Sequence, residues 1–138
     1  MTMSAALAVR KSVRATLVGD AALVSILGGA NVFDEAPRGV AMPYVTFGDW
    51  QSRDWSTASD EGAEHIFVVN AWSSQPGARE ALIIAERMRA LLHDQPLSLD
   101  NHRLVNLRFT QFETKREVNG RFNRVAARFR ATTEQLPV

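Results

Sequence analysis

The chain has 138 residues, of which 46% are hydrophobic and 22% charged, and its formal net charge is +1. That size and balance describe one globular domain, residues 1–138, able to bury a core without covalent staples. No cysteine is present, which excludes disulfides and thiolate metal sites and fits a reducing compartment.

The small net charge conceals a split. Residues 101–138 carry eight Lys/Arg against three acids, whereas residues 1–100 carry eight against twelve. Such a split predicts complementary faces, for nucleic acid or for copies of the chain itself; a solvated strand face is the plain alternative. The apolar start of the chain is interrupted by Arg10, Lys11 and Arg14. It therefore reads as neither a signal peptide nor a membrane span, and synthesis in the cytoplasm is expected.

Residues 3–18 read as a helix, with Ala6, Val9, Val13 and Leu17 recurring at three- and four-residue steps. Gly19 is expected to end it in a left-handed position. Asp20 is expected to cap a short second helix that closes at Gly28-Gly29. A connector punctuated by Pro37, Gly39 and Pro43 follows, with room for a brief strand at Val32-Phe33. Residues 44–50 and 65–72 read as strands. The second is apolar on both sides, Phe67, Val69 and Ala71 on one and Ile66, Val68 and Trp72 on the other. A strand of that kind is expected to be covered on both faces, by the long helix on one and by another subunit on the other.

Ser73-Ser74-Gln75-Pro76 has the form of a helix start, and the helix should run to His93 with Ala81, Ile84, Ala85, Met88, Leu91 and Leu92 buried. His93 at its end is expected to favour the helix dipole as a cation. The last segment is a hairpin around Asn119-Gly120. Val105, Leu107 and Phe109 alternate on its first strand, and Val125, Ala127, Phe129 and Ala131 on its second. A two-residue turn would set Phe109 against Arg130 and mismatch the faces. A three-residue loop, 118–120, with Gly120 left-handed, sets Phe109 against Phe129 and Leu107 against Ala131. It also places Arg108 across from Arg130, a repulsion that a five-residue loop would relieve; both loops remain open. The whole reads as α+β: an antiparallel sheet of about four strands with a long helix packed on one face, N-terminal helices, and a protruding hairpin or loop.

Catalytic or cofactor chemistry is not legible. His65, His93 and His102 lack ligand spacing for a metal. Ser73-Ser74 lacks the glycine frame of a nucleophile elbow. Gly28-Gly29 and Gly62 lack the lysine and hydroxyl residue of a phosphate loop. Asp54, Asp60, Glu61 and Glu64 form the one acidic cluster, without the offsets of a calcium loop, and read as a solvated arm. Trp50 and Trp72 end strands and read as core edge. Trp55, among Arg53, Asp54, Ser56 and Thr57, reads as an interface anchor.

Several of these runs carry a resemblance. They are Pro43-Tyr44-Val45, Ser52-Arg53-Asp54-Trp55-Ser56-Thr57, Gly62-Ala63-Glu64-His65, Trp72-Ser73, Leu91-Leu92-His93-Asp94, Leu104-Val105 and Arg108-Phe109. In this order and spacing the chain resembles the DUF3168 family of tail-completion proteins of tailed bacteriophages and gene transfer agents. The resemblance implies a virion structural protein and no enzyme, metal or cofactor. It implies a hexameric ring at the head-proximal end of the tail tube, which ends tube polymerisation and docks on the head–tail connector while DNA passes through its lumen without sequence specificity.

A ring repeats one heterologous interface, so each subunit needs two different patches. The candidate patches are the arm with Arg53, Asp54, Trp55, Asp60, Glu61 and Glu64, and the basic face with Arg108, Arg124, Arg128 and Arg130. Alternatives are a stopper, adaptor or tail-tube protein, and a nucleic-acid-binding module using the basic face; Phe109 and Phe129 point away from that face, against the last.

Overall fold

The computed structural model describes residues 4–117 and 121–137. Helix α1 (Ala5–Val18) begins where Ser4 caps it, the serine Oγ accepting from the Leu7 N–H at 3.2 Å. Val9, Val13 and Leu17 are its buried stripe, joined by Ala8 rather than Ala6. Gly19 is right-handed, with φ −82°, and not the left-handed stop expected. Asp20 must follow at once as the cap of α2 (Ala21–Leu27), leaving no room for a left-handed turn. Glycine relieves a close approach here instead, since a Cβ would lie 3.0 Å from the Ala15 carbonyl oxygen. Asp20 does cap α2, accepting from the Leu23 N–H at 2.9 Å, and Gly28 closes it at φ 76°.

Among the described residues six strands form one sheet in the order β1-β2-β3-β6-β5-β4. Four are long, each antiparallel to its neighbours among them: β2 (Tyr44–Asp54), β3 (Gly62–Ser73), β5 (His102–Glu117) and β6 (Phe122–Gln135). The expectation of about four strands misses the edges β1 (Val32–Phe33) and β4 (Ser98–Leu99) as sheet members. Two residues are too few for periodicity to reveal.

Helix α3 (Arg79–Leu92) starts later than the serine–proline signature predicts. Ser73 is the last residue of β3, held extended opposite Asn123. Its Oγ accepts from the Gln75 N–H at 3.1 Å and donates to Glu80 at 2.7 Å. The Asn123 amide donates to the Gln75 and Gly77 carbonyls at 3.1 and 2.8 Å, and Gly77 turns the chain at φ 79°. Pairing with β6 thus outcompetes the local helix start, and Ala78 becomes the cap position.

In the last hairpin Phe109 stands opposite Phe129 and Leu107 opposite Ala131, as the alternation predicts. Beside the turn the register is that of neither the three-residue nor the five-residue loop: Glu117 stands opposite Phe122 and Arg116 opposite Asn123, and it is the shift at Thr110 that brings Phe109 opposite Phe129; residues 118–120 themselves lie outside the described residues. Two register shifts were not legible: Val105 and Thr110 are skipped in the pairing with β6. The first bulge turns Val105 outward, 42% exposed, and brings Leu104 against the core in its place.

The core lies on one face of the sheet. Phe47, Phe67, Val69, Ala71, Leu107, Val125, Ala127, Phe129 and Ala131 meet the stripes of α1, α2 and α3 there. Each of the large side chains contributes roughly 1.5–3 kcal/mol by leaving water. Phe67 stacks on Phe129 at 5.6 Å and on Trp50 at 4.4 Å, so Trp50 is core edge as expected. The other face carries Ile66, Val68 and Trp72 of β3, and the helices do not pack on it.

Candidate assembly surface

The polar arm is sheet at both its ends. β2 and β3 stay paired as far as Asp54 and Ala63, and only residues 55–61 form the connection. That connection is tightly tied. The Trp55 N–H donates to the Gly62 carbonyl at 3.0 Å, and the Thr57 N–H to Asp60 at 2.9 Å. The Ser56 hydroxyl donates to Asp54 at 2.7 Å and accepts from the Gly62 N–H at 3.1 Å. The Gln135 N–H donates to the Glu61 carbonyl at 2.9 Å, fastening the hairpin end to β6.

On this pinned backbone Trp55 is 39% exposed. Asp54, Asp60 and Glu61 are exposed beside it. Asp54 and Glu61 also face an open cleft of about 490 Å³ between the hairpin end, the start of α1 and the end of β6.

Glu64 is different from its acidic neighbours. It is buried, and both its oxygens are engaged by Arg53 and Arg130 of the same chain, the latter through Nε at 2.7 Å and Nη2 at 2.6 Å. Hydrogen bonds from Arg53 and then Arg130 hold its carboxyl below the usual range. An arm without internal partners is therefore not what the chain builds: Glu64 already meets an arginine of its own last hairpin.

The basic face forms as expected on β5 and β6. Arg108 is directly opposite Arg130, yet each has its own acid, Asp94 at 3.6 Å for Arg108 and Glu64 for Arg130. The like-charge clash is thereby screened without a change of register. Arg124 lies over the Trp72 ring at 5.5 Å. The Trp72 indole N–H donates to Thr46 at 2.9 Å, placing this tryptophan at the margin of the open face. Arg124 and Arg128 rim a shallow depression of about 150 Å³ across β2, β3, β6 and β5, floored by Gly48, Val68, Asn70 and Ala126. Asp49, Glu113 and Lys115 line it as well. Sequence reasoning overlooked these three, although Glu113 and Lys115 sit at alternate positions on the basic hairpin.

The histidines serve structure. His65 is buried, with Nδ1 2.7 Å from the Ser52 hydroxyl and Nε2 3.3 Å from that of Thr133. Burial, and then the nearby His102, lower its pKa. His93 Nδ1 accepts from the Phe109 N–H at 2.9 Å, and its Nε2 lies 3.3 Å from the Asp94 carboxylate, so the ring ties the end of α3 to β5. Among the described residues no three His, Asp or Glu side chains gather as a metal site, and no helix is long and apolar enough to cross a membrane.

The family model for tail completion protein gp17 matches residues 11–134. The chain belongs to this family. It is thus a structural protein of the phage-tail type, as the runs quoted above imply. Among solved structures it is similar to a chain of the virion of a native gene transfer agent particle, at 30% identity and a TM-score of 0.88. The match covers 96% of this chain and 99% of that one. A comparison with curated proteins finds no match.

Proposed function

We propose that this tail-completion protein acts as a tail terminator, a single domain that closes into a hexameric ring on the head-proximal end of the tail tube. The ring ends tube polymerisation, presents a docking surface to the head–tail connector, and lets DNA pass through its lumen. Assembly takes place in the bacterial cytoplasm. The observation that carries this reading is Trp55: a large aromatic, 39% exposed, on a hairpin end whose backbone is hydrogen-bonded at both sides. An ordered, exposed tryptophan is a contact anchor awaiting a partner. Asp54, Asp60 and Glu61 surround it, whereas Arg108, Arg124 and Arg128 lie on the last hairpin. Two unlike patches on one subunit suit a heterologous interface repeated around a ring.

The test is the mass of the purified protein, alone and mixed with its tube protein. A closed hexamer that caps tubes is expected. A monomer that joins rings only at the portal would make it a stopper or adaptor. Salt-sensitive micromolar binding to DNA by the isolated subunit would favour a nucleic-acid module.

A further inference from the structure

The sheet has two long edges whose outer side is only partly used. On β2 the outer neighbour is β1, which pairs only with Val45 and Thr46. On β5 it is β4, which pairs only with His102 and Arg103. The Asp94 N–H to the Leu107 carbonyl and the Phe109 N–H to His93 cover the next stretch of β5. Among the described residues, no backbone hydrogen bond reaches the outer side of residues 48–54 of β2 or 110–116 of β5. Unpaired strand edges of this length are templates for pairing with another chain.

Building on the ring reading, we infer that successive subunits join by strand pairing, residues 110–116 of one copy lying antiparallel to residues 48–54 of the next. Three considerations converge on a second copy as the occupant. The first is direction. Three antiparallel steps separate β2 from β5, so these strands run oppositely. A rotation that repeats the sheet around an axis keeps strand directions, and β5 then meets the next β2 antiparallel.

The second is charge. Glu113 and Lys115 are exposed on the open face of β5, and Asp49 and Arg53 on that of β2. Antiparallel order carries Glu113 toward Arg53 and Lys115 toward Asp49. Parallel order would set acid on acid and base on base.

The third is geometry. Within one subunit Glu113 is level with Thr46, through Ala126 and Asn70. Gln51, the middle of the open β2 stretch, is level with Ile66, four residues along β3 from Asn70, because β2 bulges between Phe47 and Trp50. Bringing Glu113 opposite Gln51 of the next copy therefore needs a stagger of about four residues, or about 13 Å. Four strand spacings per subunit amount to about 19 Å. The implied strand tilt is about 35°, at the lower end of the roughly 35–45° of closed β-barrels. In this register Lys115 comes opposite Asp49, and both faces of the sheet continue without a break.

The absence of cysteine makes the contact directly testable. Asp49→Cys and Lys115→Cys proteins are prepared separately, mixed under oxidising conditions, and resolved without reductant. Disulfide-linked dimers are expected in the mixture and in neither protein alone. Gln51→Cys mixed with Glu113→Cys should behave the same way. In parallel, Asp49→Lys and Lys115→Glu should each lose the ring by native mass measurement, and the double exchange should restore it. A wild-type ring of full mass with no cross-link in either mixture would overturn the contact and leave the ring reading standing. Cross-linking of Lys115→Cys with itself would show a two-fold contact and overturn it as well. A wild-type protein that stays monomeric, with and without tube protein, would overturn the ring reading itself.

Discussion

Asp20 and Arg87 meet in a two-pronged ion pair, with Arg87 Nε 2.8 Å from Asp20 Oδ2 and Nη2 2.6 Å from Oδ1. The same carboxylate caps α2 through the Leu23 N–H. One side chain thus fastens the start of α2 to the exposed flank of α3, and the fork geometry of arginine suits that double duty.

This pair makes the fold acid-sensitive. The hydrogen bonds from Arg87, foremost among the causes, pull the Asp20 carboxyl down to about 2. A folded pKa below the unfolded one means a contribution fully present above about pH 4 and lost as pH falls toward the folded value. Asp20→Asn keeps a capping residue but loses the charge. Its melting temperature should fall below wild type at pH 7, and the gap should narrow between about pH 4 and pH 2.

His65 adds a second, milder slope with its own window. Its pKa is lowered by burial and then by His102, against an opposing pull from Glu64, and Ser52, Thr133 and the Trp50 ring also surround it. The unfolded chain then binds the proton more readily, so stability declines as pH drops below the ordinary histidine value of about 6.5. Melting scans from pH 7.5 to 5 should show this decline, and His65→Gln should flatten it.

Phe129 is the keystone of the core. It is fully buried, stacks on Phe67 at 5.6 Å and meets Phe109 edge-on at 5.9 Å. Phe129→Ala should cost about 3–5 kcal/mol in urea unfolding, through lost transfer energy and the cavity left behind.

Gly62 is a position where glycine is demanded by space. A Cβ there would lie 2.9 Å from the backbone oxygens of both Thr133 and Trp55, neither of which can swing aside. Gly62→Ala should destabilise by about 1–3 kcal/mol and loosen the hairpin end, read as a lowered melting temperature.

Trp55→Ala separates folding from assembly. The side chain lies outside the buried core, so monomer stability should change by no more than about 1 kcal/mol. Full-size rings by light scattering should nevertheless be lost. Rings of normal mass would remove Trp55 from the interface.

What could be read before folding was whatever repeats at a period. The stripe of α1, the two-sided apolar pattern of β3 and the pairing of Phe109 with Phe129 all follow from spacing, because a one-residue slip would expose half a strand. The basic face came with that register. The bulges at Val105 and Thr110 left no such trace, since a bulge depends on what the partner strand presents. The late start of α3 was hidden for the same reason: Asn123, far along the chain, holds residues 75 and 77 out of the helix.

The division extends to the assembly surface. Family, periodic elements, charge split and the candidate anchor Trp55 are properties of residue order, and the sequence by itself determined them. Which acids are spent inside the subunit was decided only in three dimensions. Glu64 lies between Arg53 and Arg130, while Asp54, Asp60 and Glu61 face outward, although all four look alike in the chain. The reason is that an ion pair depends on where β3 and β6 lie side by side. Strand pairing brings together residues 66 positions apart, and no local pattern encodes that distance.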